Sequence, residues 1–476
     1  MSSPIIWVIF PFVIGMLVLV LRRFEPFTHV ISIVFTLLLA YLAWSLPFDE
    51  SITLIPLPQV PSIRIDETLF FFGRRFILDD SARPALILIY LGISLWFGGA
   101  YLARVNQFFV PLGLWIAALL TASLAVEPFL YAAIMILGVA LLCVPILKPP
   151  GKPVSSGVMR FLKFQTIGMP IILIGGRLLS DVEINPTDIQ FALRVTLIIG
   201  LGFAFITAIF PFHAWIPMVA ESSHPYASAF VFFLFPATVS LLSVNYIEGY
   251  RTTGIPVKAG EVFRFIGVIM ILIGGFMAVF ERHLARIMGY AAIYEIGMAL
   301  LALSLVADTQ LISSSIGLYF AQQVPRALGL ATWALALCFM LGKTGDLKLT
   351  SVRGYARKLP IISTSLVLST FTIAGLPILA GFPVNIALWT DLVHAAPLVV
   401  LLGLLGTTGL LAAGIRMMAV LVQNEKGDED WEINESFPEI IFLTGGWIML
   451  VVTGLLPQLF IPILTNMAII HMTPVK

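Results

Sequence analysis

Charged residues are scarce in this 476-residue sequence, which contains 27 Lys and Arg, 26 Asp and Glu and 6 His. Charged residues make up 11% of the chain, hydrophobic residues make up 59%, and the mean hydropathy is +1.02. This composition excludes a water-soluble globular protein and indicates a chain embedded in lipid. The formal net charge of +1 offers no basic surface for nucleic acid, so no nucleic-acid partner is expected.

Cysteine is also nearly absent, since the chain has only Cys143 and Cys338, both inside apolar runs. We expect these two residues to pack as small apolar side chains and to form neither a disulfide nor a metal site. The sequence has no cysteine cluster, no GxGxxG motif after a strand and no haem motif. We therefore predict no catalytic residues, no cofactor and no metal in this chain, and expect any redox chemistry to reside in partner subunits.

Long apolar stretches dominate what is present, and about fourteen of them are long enough to cross a bilayer, which takes roughly twenty helical residues. Polar segments between them such as LKPPGKPVSSG, RTTGIPVKAGE and NEKGDEDWEINES are short. The sequence thus predicts an all-α polytopic membrane protein in which residues 1–476 form a single membrane domain, with the longest stretches broken, tilted or partly interfacial. The predicted spans are 4–21, 28–47, 83–103, 108–125, 128–147, 158–179, 191–210, 226–246, 262–280, 286–306, 312–341, 360–394, 397–423 and 437–470.

Two of these stretches are interrupted by proline and glycine, at ITAIFPFHAWIP, residues 206–217, and at AGLPILAGFPVN, residues 374–385. Such breaks free backbone groups that lipid cannot satisfy, so they occur where the helix is buried against protein or lines a wet cavity. A matched pair of broken helices in two halves of a chain is typical of transporters built from inverted repeats. Simple tolerance of proline explains one such break better than two.

Three segments carry a resemblance to a known family: PFHAWIP at 211–217, with SSHPYASAF after it, ERHLARIMGYAAIYEIGMALL at 281–301, and LAGFPVN at 379–385. They resemble the antiporter-like membrane subunits of respiratory complex I, a family that includes subunits of multisubunit Na+/H+ antiporters and of related membrane-bound hydrogenases. The resemblance implies a fourteen-helix bundle with two inverted five-helix repeats, which we assign to residues 108–246 and 262–423. It also implies other membrane subunits as partners.

The resemblance further implies buried ionisable residues at mid-membrane, because a proton needs titratable groups to cross hydrocarbon. The family places a glutamate in the fifth span, lysines in the seventh and eighth, and a lysine or glutamate in the twelfth. The corresponding positions here hold Met135, Ile206, Ala237 and Asn385. The sequence therefore predicts the fold of the family with a degenerate or rerouted ion path.

The ionisable residues that remain in or near the spans are the candidates for such a path. Glu295 and Arg326 stand on neighbouring spans and could offset each other's desolvation, either as a structural pair or as a proton-handling one. His213 follows Pro211, where it could cap the broken helix or relay protons. The candidate ion path comprises Glu295, Arg326, Lys163, His213, Asp391 and His394.

The remaining candidates, Lys163, Asp391 and His394, also have both a structural and a functional interpretation. By resemblance, Lys163 matches a lysine that modulates the fifth-span glutamate, but without that glutamate it is expected to reach the membrane interface with its charged end. Asp391 and His394 lie three residues apart on one helical face, in a half-channel or in a solvated position near the end of the span.

The function that this sequence predicts is that of an antiporter-like membrane subunit of a complex I-like, NADH:quinone oxidoreductase-type complex in the inner (cytoplasmic) membrane. The alternatives are a subunit of a multisubunit cation/proton antiporter or other ion-coupled membrane complex, and a membrane-arm scaffold that transports nothing. We expect any surviving conduction to depend on Glu295, with Arg326 as its charge partner.

Overall fold

The fold was analysed in a computed structural model, which describes residues 2–46, 51–52, 63–148, 151, 153–184, 189–251, 259–308, 312–423 and 433–472. The last residue of the predicted span 28–47 lies outside the described residues. Helices account for nearly all of the described chain. They are α1 (Phe10–Val20), α2 (Glu25–Ser45), α3 (Arg83–Ala100), α4 (Phe109–Ala125), α5 (Ala132–Leu147), α6 (Ser156–Ile184), α7 (Ile189–Ile206), α8 (Trp215–Ser222), α9 (Pro225–Arg251), α10 (Ala259–Phe280), α11 (Leu284–Asp308), α12 (Ile312–Thr344), α13 (Pro360–Ala374), α14 (Gly381–Ala395), α15 (Pro397–Val422), α16 (Phe437–Leu455) and α17 (Ile461–Met472).

These helices confirm the prediction of an all-α polytopic membrane protein. Among the described residues, 10 helices are long and apolar enough to cross a membrane, and four shorter apolar helices accompany them. The count of fourteen spans stays a prediction, since the shorter helices are below spanning length. Of the three longest predicted stretches, 360–394 and 437–470 are broken into two helices each, whereas 312–341 lies in the continuous helix α12.

Five short strands add a feature that the sequence did not predict. β1 (Ser51–Ile52) pairs antiparallel with β2 (Ile63–Arg64). β3 (Thr68–Phe71), β4 (Arg74–Ile77) and β5 (Val126–Glu127) form an antiparallel sheet in that order. The β3–β4 turn has positive φ at both Phe72 and Gly73, as two-residue hairpin turns require. These strands lie between spans, so they do not change the helical architecture of the membrane domain.

The centre of the bundle is formed by α9, α11 and α12, which are buried along most of their length, while α16 is largely exposed. α11 contacts α8, α9, α10, α12 and α13. Apolar side chains predominate around these central helices, which is the pattern of helices enclosed by other helices. Glu295 on α11 and Arg326 on α12 are among the polar residues that lie in this interior.

Glycine allows α10 to approach two neighbours at backbone distance. A Cβ on Gly274 would lie 2.6 Å from the amide nitrogen of Tyr294 in α11. A Cβ on Gly275 would overlap the carbonyl of Gly406 in α15. Small residues at such contacts let membrane helices pack through van der Waals interactions, which replace the hydrophobic driving force that lipid removes. α10 is thus held between α11 and α15 by backbone contacts.

We predict that Gly275→Ala lowers the free energy of unfolding by about 3 kcal/mol, the upper end for overpacking, because the clash is with backbone that cannot rotate away. Gly200→Ala in α7 is the matched control, since a Cβ there meets nothing within 4 Å. The control variant is expected to be neutral or to gain up to about 1 kcal/mol from its higher helix propensity. Thermal unfolding in mild detergent measures both, and equal melting temperatures would contradict the backbone contact.

Candidate functional site

The first helix break comprises residues 207–214, between α7 and α8. α7 ends at Ile206, and Ala208 adopts the left-handed conformation with φ 60°. The amide of Ile209 donates to the carbonyl of Ala204 over 3.1 Å. This bond spans five residues and is the 6→1 hydrogen bond of a Schellman motif. Pro211 lies beyond this turn. The helix therefore ends several residues before the proline.

The second helix break comprises residues 375–380, between α13 and α14, and ends its helix in the same way. Gly375 is left-handed with φ 77°, and its amide donates to Thr372 O over 3.1 Å. The amide of Leu376 donates to Phe371 O over 2.9 Å, which completes a Schellman motif. Glycine suits this position because it has no Cβ to collide with the backbone in a left-handed turn.

The two breaks match in form, and the prediction of two broken helices is confirmed. In each, a left-handed residue ends the first half-helix, a proline follows within the link, and a second half-helix begins, at Trp215 or at Gly381. The prolines do not terminate the helices themselves. Their role is to keep the link out of helical geometry, because the residue before a proline disfavours the α region. This likeness supports the two inverted repeats, whose boundaries at 108–246 and 262–423 stay a prediction.

Apolar or uncharged side chains occupy all four positions where the family resemblance implies an ionisable residue. Ile206 and Ala237 are buried, Met135 is half-buried and Asn385 is buried. The side-chain Nδ2 of Asn385 lies against Gly375. A Cβ added to Gly375 would overlap this nitrogen. Asn385 thus packs on the turn of the second break.

Gln165 in α6 is a polar residue of the first break that sequence reasoning missed. It is buried, and its Nε2 donates to the carbonyl of Ile206 over 3.1 Å. Ile206 is the last residue of α7, so its carbonyl has no partner within the helix. A buried glutamine two residues from Lys163, in the span that packs against the broken helix, was the available signal.

Glu295 in α11 and Arg326 in α12 are the buried charges of the membrane interior. Among the described residues, Arg83 at the start of α3 is the third buried member of the Asp, Glu, Lys and Arg class. Arg83 lies at a helix end and pairs with Asp80. Glu295 and Arg326 lie on helices that pack against each other, and their pairing stays a prediction.

Arg326 directs its hydrogen bonds to groups other than the Glu295 carboxylate. Its Nη2 donates to the carbonyl of Phe232 in α9 over 2.8 Å, and its Nη1 donates to Oε1 of Gln323 over 3.4 Å. Oε2 of Glu295 and Nε of Arg326 are buried without a hydrogen-bond partner in the described part of the chain. The oxygen and the nitrogen of the Gln322 side-chain amide are also buried without a hydrogen-bond partner among the described residues. Glu295, Arg326 and Gln322 thus each keep unused hydrogen-bonding capacity in the interior.

His213 and Lys163 lie apart from this pair. His213 is half-buried in the first break, its ring stacks on Phe210 at 5.9 Å, and its Nδ1 is buried without a described partner. The carbonyl that ends α7 is bonded by Gln165, so the structure assigns the capping function expected of His213 to a different residue. Lys163 is exposed on α6, where its charged end can reach the membrane interface.

Asp391 and His394 are exposed side chains near the C-terminal end of α14. The half-channel and the solvated position both stay predictions for these two residues. The structure does not bring them together with Glu295 and Arg326 in the buried core.

We predict that Gln165→Leu lowers the free energy of unfolding by about 1–3 kcal/mol, because it leaves the Ile206 carbonyl unsatisfied inside the protein. Lys163→Met, on the exposed side of the same helix, is the control and is expected to stay within about 0.5 kcal/mol of the wild type. Thermal melting of the two variants side by side tests this. If Gln165→Leu were as stable as Lys163→Met, Gln165 would have no role in stabilising the end of α7.

Comparison with known proteins gives a family match and whole-chain structural matches. The family model for the membrane segment of NADH:quinone oxidoreductase and Mrp antiporters matches residues 177–411. The NADH-quinone oxidoreductase subunit N of Beijerinckia indica is 25% identical over 329 residues, which are 65% of this chain and 68% of that protein. Two other curated subunit N relatives are matched over 41% and 39% of their own length.

Two solved structures share the fold over the whole chain. A chain of the Mrp complex from Dietzia sp. DQ12-45-1b has a TM-score of 0.78 at 14% identity, covering 100% of this chain and 98% of that one. A chain of respiratory complex I from Thermus thermophilus with bound NADH has a TM-score of 0.69 at 21% identity, covering 98% and 99%. At these identities the likeness shows the fold alone.

Proposed function

From its confirmed resemblance to the antiporter-like membrane subunits, we propose that this chain is a non-catalytic subunit of a multisubunit, complex I-like energy-converting complex. The multi-pass helical fold and the two broken helices support this assignment. Oxidoreductase chemistry of the NADH:quinone type would belong to other subunits. The bacterial relatives favour the inner (cytoplasmic) membrane as its location.

Within this proposal, Glu295 is the residue on which ion movement depends, and Arg326 is its charge partner. The observation that supports this is the burial of these two charges in a core where the other expected ionisable positions are apolar or uncharged. A buried charge in a membrane is costly to keep, so it is retained where it has a use. The unpartnered polar atoms of Glu295, Gln322 and Arg326 add to this, since buried polar groups of this kind bind internal water in proteins.

A scaffold that conducts nothing is the second candidate, and a specific observation favours it as well. Ile206 and Ala237 are buried among apolar residues, and a proton cannot cross such a region without water or a titratable group. A subunit of a multisubunit cation/proton antiporter is the third candidate, which the Mrp-like fold supports. Ion-flux measurements separate the scaffold from the two transporting alternatives.

The flux experiment uses membrane vesicles that carry the intact complex, with proton or sodium movement followed by an entrapped dye. We predict that Glu295→Gln and Arg326→Ala each reduce coupled ion movement to the background of vesicles without the complex. The physical reason is that the glutamine variant loses its titratable group, while the alanine variant leaves a buried carboxylate without its charge partner.

Glu221→Gln is the matched control for the glutamate variant. Glu221 is partly exposed at the end of α8 and pairs with Arg286 over 3.4 Å, so its loss should leave the flux unchanged. Persistent flux in both core variants would show that ions take another path. A wild-type complex without any flux, combined with core variants that lower only the melting temperature, would identify a scaffold.

Association with other membrane proteins is the second prediction of this proposal. The chain should co-purify with several membrane proteins in mild detergent, because antiporter-like folds of this kind occur in multisubunit complexes. Size-exclusion chromatography followed by mass spectrometry of the peak fraction measures this. Isolation of an ion-transporting monomer without partners would contradict it.

A further inference from the structure

A proline in the middle of α9 leaves a backbone carbonyl without its helical partner. Pro236 lies inside the continuous helix Pro225–Arg251. Because proline has no amide hydrogen, the carbonyl four residues earlier, at Phe232, cannot receive the usual hydrogen bond. Phe232 and its neighbours are buried at membrane depth, so no lipid or bulk water is available to that carbonyl.

Arg326 of α12 takes the place of the missing backbone donor. Its Nη2 donates to Phe232 O over 2.8 Å, and its side chain is almost completely buried. A guanidinium is well suited to this task, because it offers several donors in a fixed plane and keeps its charge in a protein interior. One of those donors is bound to the carbonyl that Pro236 has freed.

A second residue of α12 bonds the same region of α9. Tyr319, two helical turns before Arg326, donates its hydroxyl to Ala237 O over 2.6 Å. Both donors come from one face of α12, and both acceptors are backbone carbonyls on either side of Pro236. Together Tyr319 and Arg326 join α12 to α9 at the position where the helix is weakened by proline.

We propose that Arg326 is a positioning residue, which replaces the backbone donor removed by Pro236 and thereby holds its positive charge at a fixed place in the core, where α12 packs against α11, the helix that carries Glu295. The guanidinium then remains at the Phe232 carbonyl and does not move between proton donors and acceptors, while Glu295 is the group that changes its proton. The coupling between Pro236 and Arg326 is independent of transport. The role toward Glu295 rests on the proposed function.

The coupling is tested with a double-mutant cycle on thermal stability, measured on the detergent-solubilised complex. Arg326→Met is expected to lower the melting temperature by several degrees. Adding Pro236→Ala should recover part of that loss, because alanine restores an amide that bonds Phe232 O within the helix. Adding Glu295→Gln should recover a separate part, because the carboxylate no longer lacks a partner.

Pro170→Ala is the matched control for the proline substitution, since Pro170 also lies inside a membrane helix, α6, away from Arg326. It should not improve the stability of the Arg326→Met variant. Absence of recovery by Pro236→Ala, or equal recovery by Pro170→Ala, would overturn the coupling.

Ion flux in vesicles separates the positioning of charge from stability alone. The Pro236→Ala/Arg326→Met variant regains stability but has lost the positive charge of Arg326, so its flux should remain at background. Arg326→Lys, which keeps the positive charge, should retain part of the wild-type flux.

Wild-type flux in the Pro236→Ala/Arg326→Met variant would overturn the role of Arg326 toward Glu295 and leave only the coupling to Pro236. A wild-type complex without flux would overturn the role toward Glu295 together with the transport proposal, while the stability cycle would still decide the coupling.

Discussion

A backbone carbonyl in hydrocarbon has no water to bond, and this constraint governs the interior of the protein. Each interruption of a membrane helix creates such carbonyls, and two of these interruptions have a side-chain donor from another helix. The break after α7 is satisfied by its own turn and by Gln165. The proline of α9 is compensated by Arg326. The polar residues of the core can therefore be understood first as partners of the backbone.

Charge and backbone geometry are linked through these donors. At two positions where the family resemblance implies a lysine, the chain has Ile206 and Ala237, and the carbonyl of each accepts a hydrogen bond from a neighbouring helix. Neutral donors, Gln165 and Tyr319, make both bonds. At these two positions the helices are joined by hydrogen bonds that need no charge, and the buried Glu and Arg of the central helices lie on α11 and α12.

The sequence predicted the helical architecture and both breaks, because apolar length and proline–glycine clusters are local signals that depend little on tertiary contacts. It singled out Glu295 and Arg326, which are both buried, because burying a single charge is costly. It did not predict that Gln165 bonds Ile206 or that Arg326 bonds Phe232. Those contacts join residues far apart in the chain, and the rotation of one helix against another decides them. The short strands were missed because they are two to four residues long and lie between the predicted spans.

The close approach of α10 and α15 has a consequence for biosynthesis. Gly275 meets the backbone of Gly406, so α10 lacks one of its two flanking helices until the ribosome has made the chain between them. At typical synthesis rates that interval is on the order of ten seconds. During it, the glycine face of α10 is open to lipid and to membrane chaperones. Slower translation after α10 would prolong that exposure.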